Sequence, residues 1–122
     1  MQDRRQSRVE RRVSRRSPFV AAVRHEVGAD VELALAQNLG PTGMELKRPA
    51  GRTYSPSTPV SLAFELPDGG ELVSVRGAVV FERSERDGQV PGAAREHRRC
   101  GVRFDSLSPL DHARILRALR QL

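Results

Sequence analysis

The residues with the most chemical potential are four arginines close to the N-terminus, Arg11, Arg12, Arg15 and Arg16, and a short polar segment, Asn38-Leu39-Gly40-Pro41-Thr42-Gly43. A guanidinium is planar, always charged and donates paired hydrogen bonds that lysine cannot copy, so a cluster of them suits phosphate oxygens. Asn38 adds an amide oxygen that can accept a hydrogen bond, and glycines let a ligand come close to the main chain. The chemistry on offer is recognition of an anion. No Ser-His-Asp, Cys-His or paired-carboxylate arrangement stands at a useful spacing, which argues against an enzyme. The three histidines, His25, His97 and His112, fall on a predicted strand, loop and helix, so no metal site is expected.

Charge placement points the same way. Residues 1–24 carry eight arginines against Asp3 and Glu10 and hold the whole net charge of +6, while the thirteen bases and thirteen acids of residues 25–122 cancel. Residues 1–17 contain no apolar side chain beyond Met1, Val9 and Val13 and are expected to form a flexible basic arm, with residues 18–122 as the folded domain. The chain has one lysine against twenty arginines, a skew that suits bidentate recognition and that GC-rich coding would equally produce.

At 122 residues one domain is expected, with an aliphatic core because only four Phe and one Tyr are present. No apolar run reaches the roughly 20 residues of a membrane span, and no signal peptide is recognisable. The lone cysteine, Cys100, is expected just before a strand as a small core residue in a reducing compartment. A cytoplasmic protein without membrane insertion is the expectation.

The elements that must position these residues read mostly as strands. Phe19 to Glu26, a turn at Gly28-Ala29-Asp30, and the period-two run Val31 to Ala36 predict a hairpin. Asn38 to Gly43 reads as a turn, Met44 to Leu46 as a short strand, and residues 48–59, with three further prolines and a glycine, as a loop. Val60, Leu62, Phe64 and Leu66 alternate up to a Pro67-Asp68-Gly69-Gly70 hairpin. A strand from Leu72 to about Arg83 returns, with Gly77 marking a bulge. Residues 84–98 read as a mobile loop and residues 101–104 as a last short strand. Ser108 as N-cap, Pro109 and Asp111 then open a helix whose apolar stripe is Ile115, Leu116, Leu119 and Leu122.

This order of features resembles the PilZ domain family, whose signature is RxxxR in an N-terminal arm followed by (D/N)xSxxG. Arg12-Val13-Ser14-Arg15-Arg16 fits the first element, and Arg11 to Arg15 fits it one residue earlier. The second element matches at Asn38 and Gly43 but has Gly40 where serine is usual. Gly101-Val102-Arg103-Phe104 and Leu107-Ser108-Pro109 resemble the family's closing strand and helix start, so the likeness covers residues 10–122. It implies an all-β fold, a six-stranded antiparallel PilZ-type β-barrel with a C-terminal α-helix. It also implies a non-enzymatic receptor for cyclic di-GMP, with Arg11, Arg12, Arg15, Arg16, Asn38, Gly40 and Gly43 at the site and no other cofactor. The signal would pass to an unidentified effector protein. A degenerate PilZ adaptor that has lost the nucleotide is the alternative that Gly40 raises. A basic-armed nucleic-acid binder is a second alternative, weakened by the sparse aromatics.

Overall fold

The computed structural model describes residues 17–87 and 95–122. Six strands, β1 (Ser17–Val27), β2 (Asp30–Leu39), β3 (Gly43–Pro49), β4 (Pro59–Phe64), β5 (Val73–Asp87) and β6 (Arg95–Ser106), precede one helix, α1 (Pro109–Gln121). All neighbouring strands are antiparallel and close a barrel in the order β1-β2-β3-β6-β5-β4. The expected all-β barrel with a C-terminal helix is therefore the fold.

Alternation fills the interior. Val60, Leu62 and Phe64 of β4 point inward, as do Met44 and Leu46 of β3. In β2 the pattern runs against hydrophobicity: the small Ala34 and Ala36 are buried, while Val31, Leu33 and Leu35 face outward. Two register shifts between β5 and β6, at Arg76/Gly77 with Asp105 extra in β6 and at Val79/Phe81 with Val80 extra in β5, flank Gly77, Ala78 and Val79, which are buried in succession. Gly77 is required there because a Cβ would lie 2.1 Å from the Arg103 carbonyl oxygen.

Several boundaries differ from the sequence reading. Asn38 and Leu39 belong to β2 and Gly43 to β3, so the turn is confined to residues 40–42. Arg48 and Pro49 lie in β3 and Pro59 in β4, which shortens the expected 48–59 loop. The expected loop over 84–98 is a strand pair at both ends: β5 runs on to Asp87 and β6 starts at Arg95, with residues 88–94 outside the described set. Alternating charges pair across these strands, and that is why a polar stretch forms a ladder. β6 is thus far longer than residues 101–104, and it contains both His97 and Cys100. Cys100 is a buried core residue, as expected.

The helix closes one end of the barrel. Ser108 Oγ accepts from the Asp111 N–H as N-cap, and Pro109 occupies the first turn. Its buried residues are Ile115 and Ala118, whereas Leu116 and Leu122 of the expected stripe are exposed. Arg114 holds the helix to the β4–β5 connection through Nε to Asp68 Oδ2 and Nη2 to Asp68 Oδ1, each 3.0 Å. Those bonds, with the Gly70 N–H, lower the Asp68 carboxyl to about 2.

Candidate functional site

The turn is pinned by the main chain. The Gly40 N–H donates to the Gly43 carbonyl at 2.9 Å, and the Phe104 N–H donates to the Thr42 carbonyl at 2.8 Å. Gly40 and Gly43 are buried, and neither is among the glycines with positive φ, which are Gly28, Gly51 and Gly69. The turn therefore does not demand glycine on backbone grounds, and the Gly40 N–H has a partner within the turn. Asn38 sits at a bulge in the β2–β3 pairing, and its Oδ1 accepts from the Glu45 N–H at 3.2 Å. That bond uses one of the two lone pairs of the amide oxygen. Among the described residues the Asn38 amide nitrogen has no partner, which leaves two donors for an acceptor-rich ligand.

Arg11, Arg12, Arg15 and Arg16 lie outside the described residues. What is described is the point where their segment joins the barrel: Ser17 pairs with Leu39, and Pro18 with Asn38. Arg16 precedes Ser17 in the chain, and Ser17 is in register with Leu39, the last residue of β2 before the turn.

At the opposite end lies a cluster that the sequence reading missed. The side chain of Arg48 is fully buried and points into the barrel. Its Nε donates to Glu32 Oε1 at 2.6 Å, Nη1 to Glu82 Oε2 at 2.5 Å and Nη2 to the Arg52 carbonyl at 3.1 Å. Glu82 Oε1 accepts from the Tyr54 N–H at 2.8 Å, and the guanidinium lies 4.6 Å from the centre of the Tyr54 ring. His25 stacks on Tyr54 with ring centres 6.0 Å apart; neither of its buried ring nitrogens has a hydrogen-bond partner among the described residues, and Glu32 Oε1 lies 3.9 Å from its Nδ1. Burial, then the Arg48 charge, keeps its pKa below the ordinary value. Burial opposes the Arg48 charge, but Glu32 and Glu82 outweigh it and raise its pKa. Burial, with Glu82 nearby, pushes the Cys100 thiol far up, so it is no nucleophile. The missed signal was simple alternation: Met44 and Leu46 point inward, and two residues on so does Arg48. The cluster is an ion network in which each Arg48 nitrogen donates to Glu32, Glu82 or the Arg52 carbonyl. Among the described residues no three His, Cys, Asp or Glu side chains are grouped to hold a metal.

The sequence model of the PilZ domain matches residues 3–121. The chain belongs to the PilZ domain family. PilZ domains are ligand-binding or adaptor modules and not catalysts. No curated protein matches the sequence. Among solved structures, the Bacillus subtilis inhibitor of motility (MotI/DgrA) superposes with a TM-score of 0.74 at 18% identity, over 93% of this chain and 51% of that one. MrkH of K. pneumonia in its apo state gives 0.74 at 15% identity, over 100% of this chain and 53% of that one. The PilZ domain of Escherichia coli YcgR, solved with c-di-GMP, gives 0.69 at 12% identity, over 92% of this chain and 94% of that one. These likenesses establish a shared fold, and this PilZ domain spans about half the length of the first two. No helix among its described residues is long and apolar enough to cross a membrane.

Proposed function

We propose that this PilZ domain is a cytoplasmic receptor for cyclic di-GMP that passes its signal to a protein partner. The observation that supports the reading is the register of β1: Ser17 lies against Leu39 and Pro18 against Asn38, so the residues that follow the arginine motif in sequence sit next to the turn. Arg12 and Arg16, or Arg11 and Arg15 in the neighbouring register, supply forks for two phosphates and for guanine edges. The Asn38 amide nitrogen adds donors beside them. The solved relatives support the ligand class, since one is the YcgR domain with c-di-GMP and another is described as a c-di-GMP-dependent transcription factor. Binding would fold the arm across the barrel end and present a new surface to the partner.

A second reading, an adaptor without nucleotide, draws on the turn itself. Gly40 has no hydroxyl, its N–H is donated to Gly43, and one lone pair of Asn38 is donated to by Glu45. Amide hydrogen exchange separates the two. The receptor gains protection in residues 10–18 and 38–43 when cyclic di-GMP is added, and an unchanged exchange pattern at saturating nucleotide overturns it.

A further inference from the structure

Beyond Ala78, β5 leaves β4 behind. Pro59 pairs with Ala78, the adjacent loop bonds to Val79 through Ser57 and Thr58, and from Phe81 to Asp87 β5 pairs only with β6 among the described residues. The far edge of this segment therefore presents alternate N–H and C=O groups to whatever lies beside it. Its side chains stand free enough to meet a neighbour: Arg83 is 62% exposed and Arg86 71%.

Charged residues on a sheet edge ordinarily repel a second strand. The order here does the reverse in one register. In Phe81-Glu82-Arg83-Ser84-Glu85-Arg86-Asp87, an antiparallel copy centred on Ser84 sets Arg83 opposite Glu85 and Glu85 opposite Arg83. Shifting the centre to Arg83 or to Glu85 faces like charges across the axis, and centring between Ser84 and Glu85 opposes Arg83 to Arg86. We propose that the free edge of β5 is a self-recognition strand, at which two copies of this chain pair antiparallel about Ser84 into a sheet continuous across the dimer.

Chemistry supports the choice of partner. Directly opposed residues on one face have Cβ atoms about 4.5–5.5 Å apart, nearer than the next-but-one residue of the same strand, so the cross-strand ion pair competes well with the local one. That local contact is Arg83 Nε to Glu85 Oε2 at 3.2 Å. Glu85 is already oriented on this outer face by Arg99 and His97. Nucleotide binding at the other barrel end plays no part in this contact.

Cysteine cross-linking in the full chain tests the register. Ser84 meets its own copy on the two-fold axis, where opposed Cα atoms lie about 4.5–5.5 Å apart, within disulfide reach. Residue 86 lies four positions from its copy, about 13 Å, and is out of reach. Under mild oxidation Ser84→Cys should yield a covalent dimer, and Arg86→Cys should stay monomeric although a maleimide labels both. The wild type, with only buried Cys100, serves as the blank. Equal cross-linking of both variants, or none for a labelled Ser84→Cys, overturns the proposal. Sedimentation of unmodified protein gives a second readout that does not depend on a cysteine. A reversible dimer should form by about 0.5 mM and weaken roughly tenfold in Arg83→Glu, whereas a strict monomer at that concentration overturns the proposal.

Discussion

The Arg48 end of this barrel and its turn end differ in what the fold supplies to a charge. At the Arg48 end the guanidinium is enclosed, all three nitrogens donate to the fold, and its charge is answered by Glu32 and Glu82. At the turn end the described fold provides main-chain bonds and one amide, and in the sequence that leads into β1 the eight arginines of residues 1–24 face only two acids. The contrast teaches how to tell a structural cation from a recruiting one. Arg48 is held by its own carboxylates, whereas an arginine excess without matching acids in the sequence is the kind of charge that an anion from outside would answer.

The largest effect should come from breaking the closed end. Arg48→Ala leaves Glu82, with a side chain 1% exposed, as a buried unpaired carboxylate, and denaturant unfolding should register a loss of about 3–5 kcal/mol. Replacing the pair together, Arg48→Met with Glu82→Leu, should recover much of that loss, because apolar residues of similar volume need no partner. At the turn end the signs reverse. Arg16→Ala should abolish detectable cyclic di-GMP binding in a titration while unfolding stability stays within about 0.5 kcal/mol. An equally large loss of stability would make the arm structural and erase the contrast.

A smaller change sharpens the turn. Gly40 does not occupy the left-handed region, so Gly40→Ser is compatible with the backbone and restores the hydroxyl of the family motif. Affinity for cyclic di-GMP should rise about tenfold, the worth of one recovered hydrogen bond.

How much of this was readable beforehand follows from the physics of each segment. The six strands, the Gly77 bulge and the Ser108 cap were visible because alternation, turn residues and capping are local. The extension of β5 and β6 to Asp87 and Arg95 was not, because alternating charges look like a loop until a facing strand pairs them. Glu82 likewise turns inward only after the bulge at Val79/Phe81 changes the phase, a tertiary event with no local mark. In the candidate site, the motif order was readable, but the fate of the Gly40 N–H and of Asn38 Oδ1 depended on which main-chain groups needed partners. Exposed Leu33 and Leu35 show the same limit from the other side, since the barrel interior accepts Ala34 and Ala36 in their place.

A finer probe of the closed end uses pH. His25 has a folded pKa below 6.5, so the unfolded chain takes up its proton first as the pH falls. Stability present above pH 6.5 should decline as the pH drops through the folded value, and His25→Phe should flatten that decline in urea melts run from pH 7.5 to 5. The turn end should contribute nothing to this slope, since the titrating histidine is packed against Arg48 and Tyr54.

Isothermal titration of the full chain with cyclic di-GMP, with GTP as the matched control, tests the central claim most directly. The account predicts saturable heat for cyclic di-GMP and none for GTP. Absence of heat with cyclic di-GMP at high micromolar concentration, or equal heats for the two nucleotides, would contradict it.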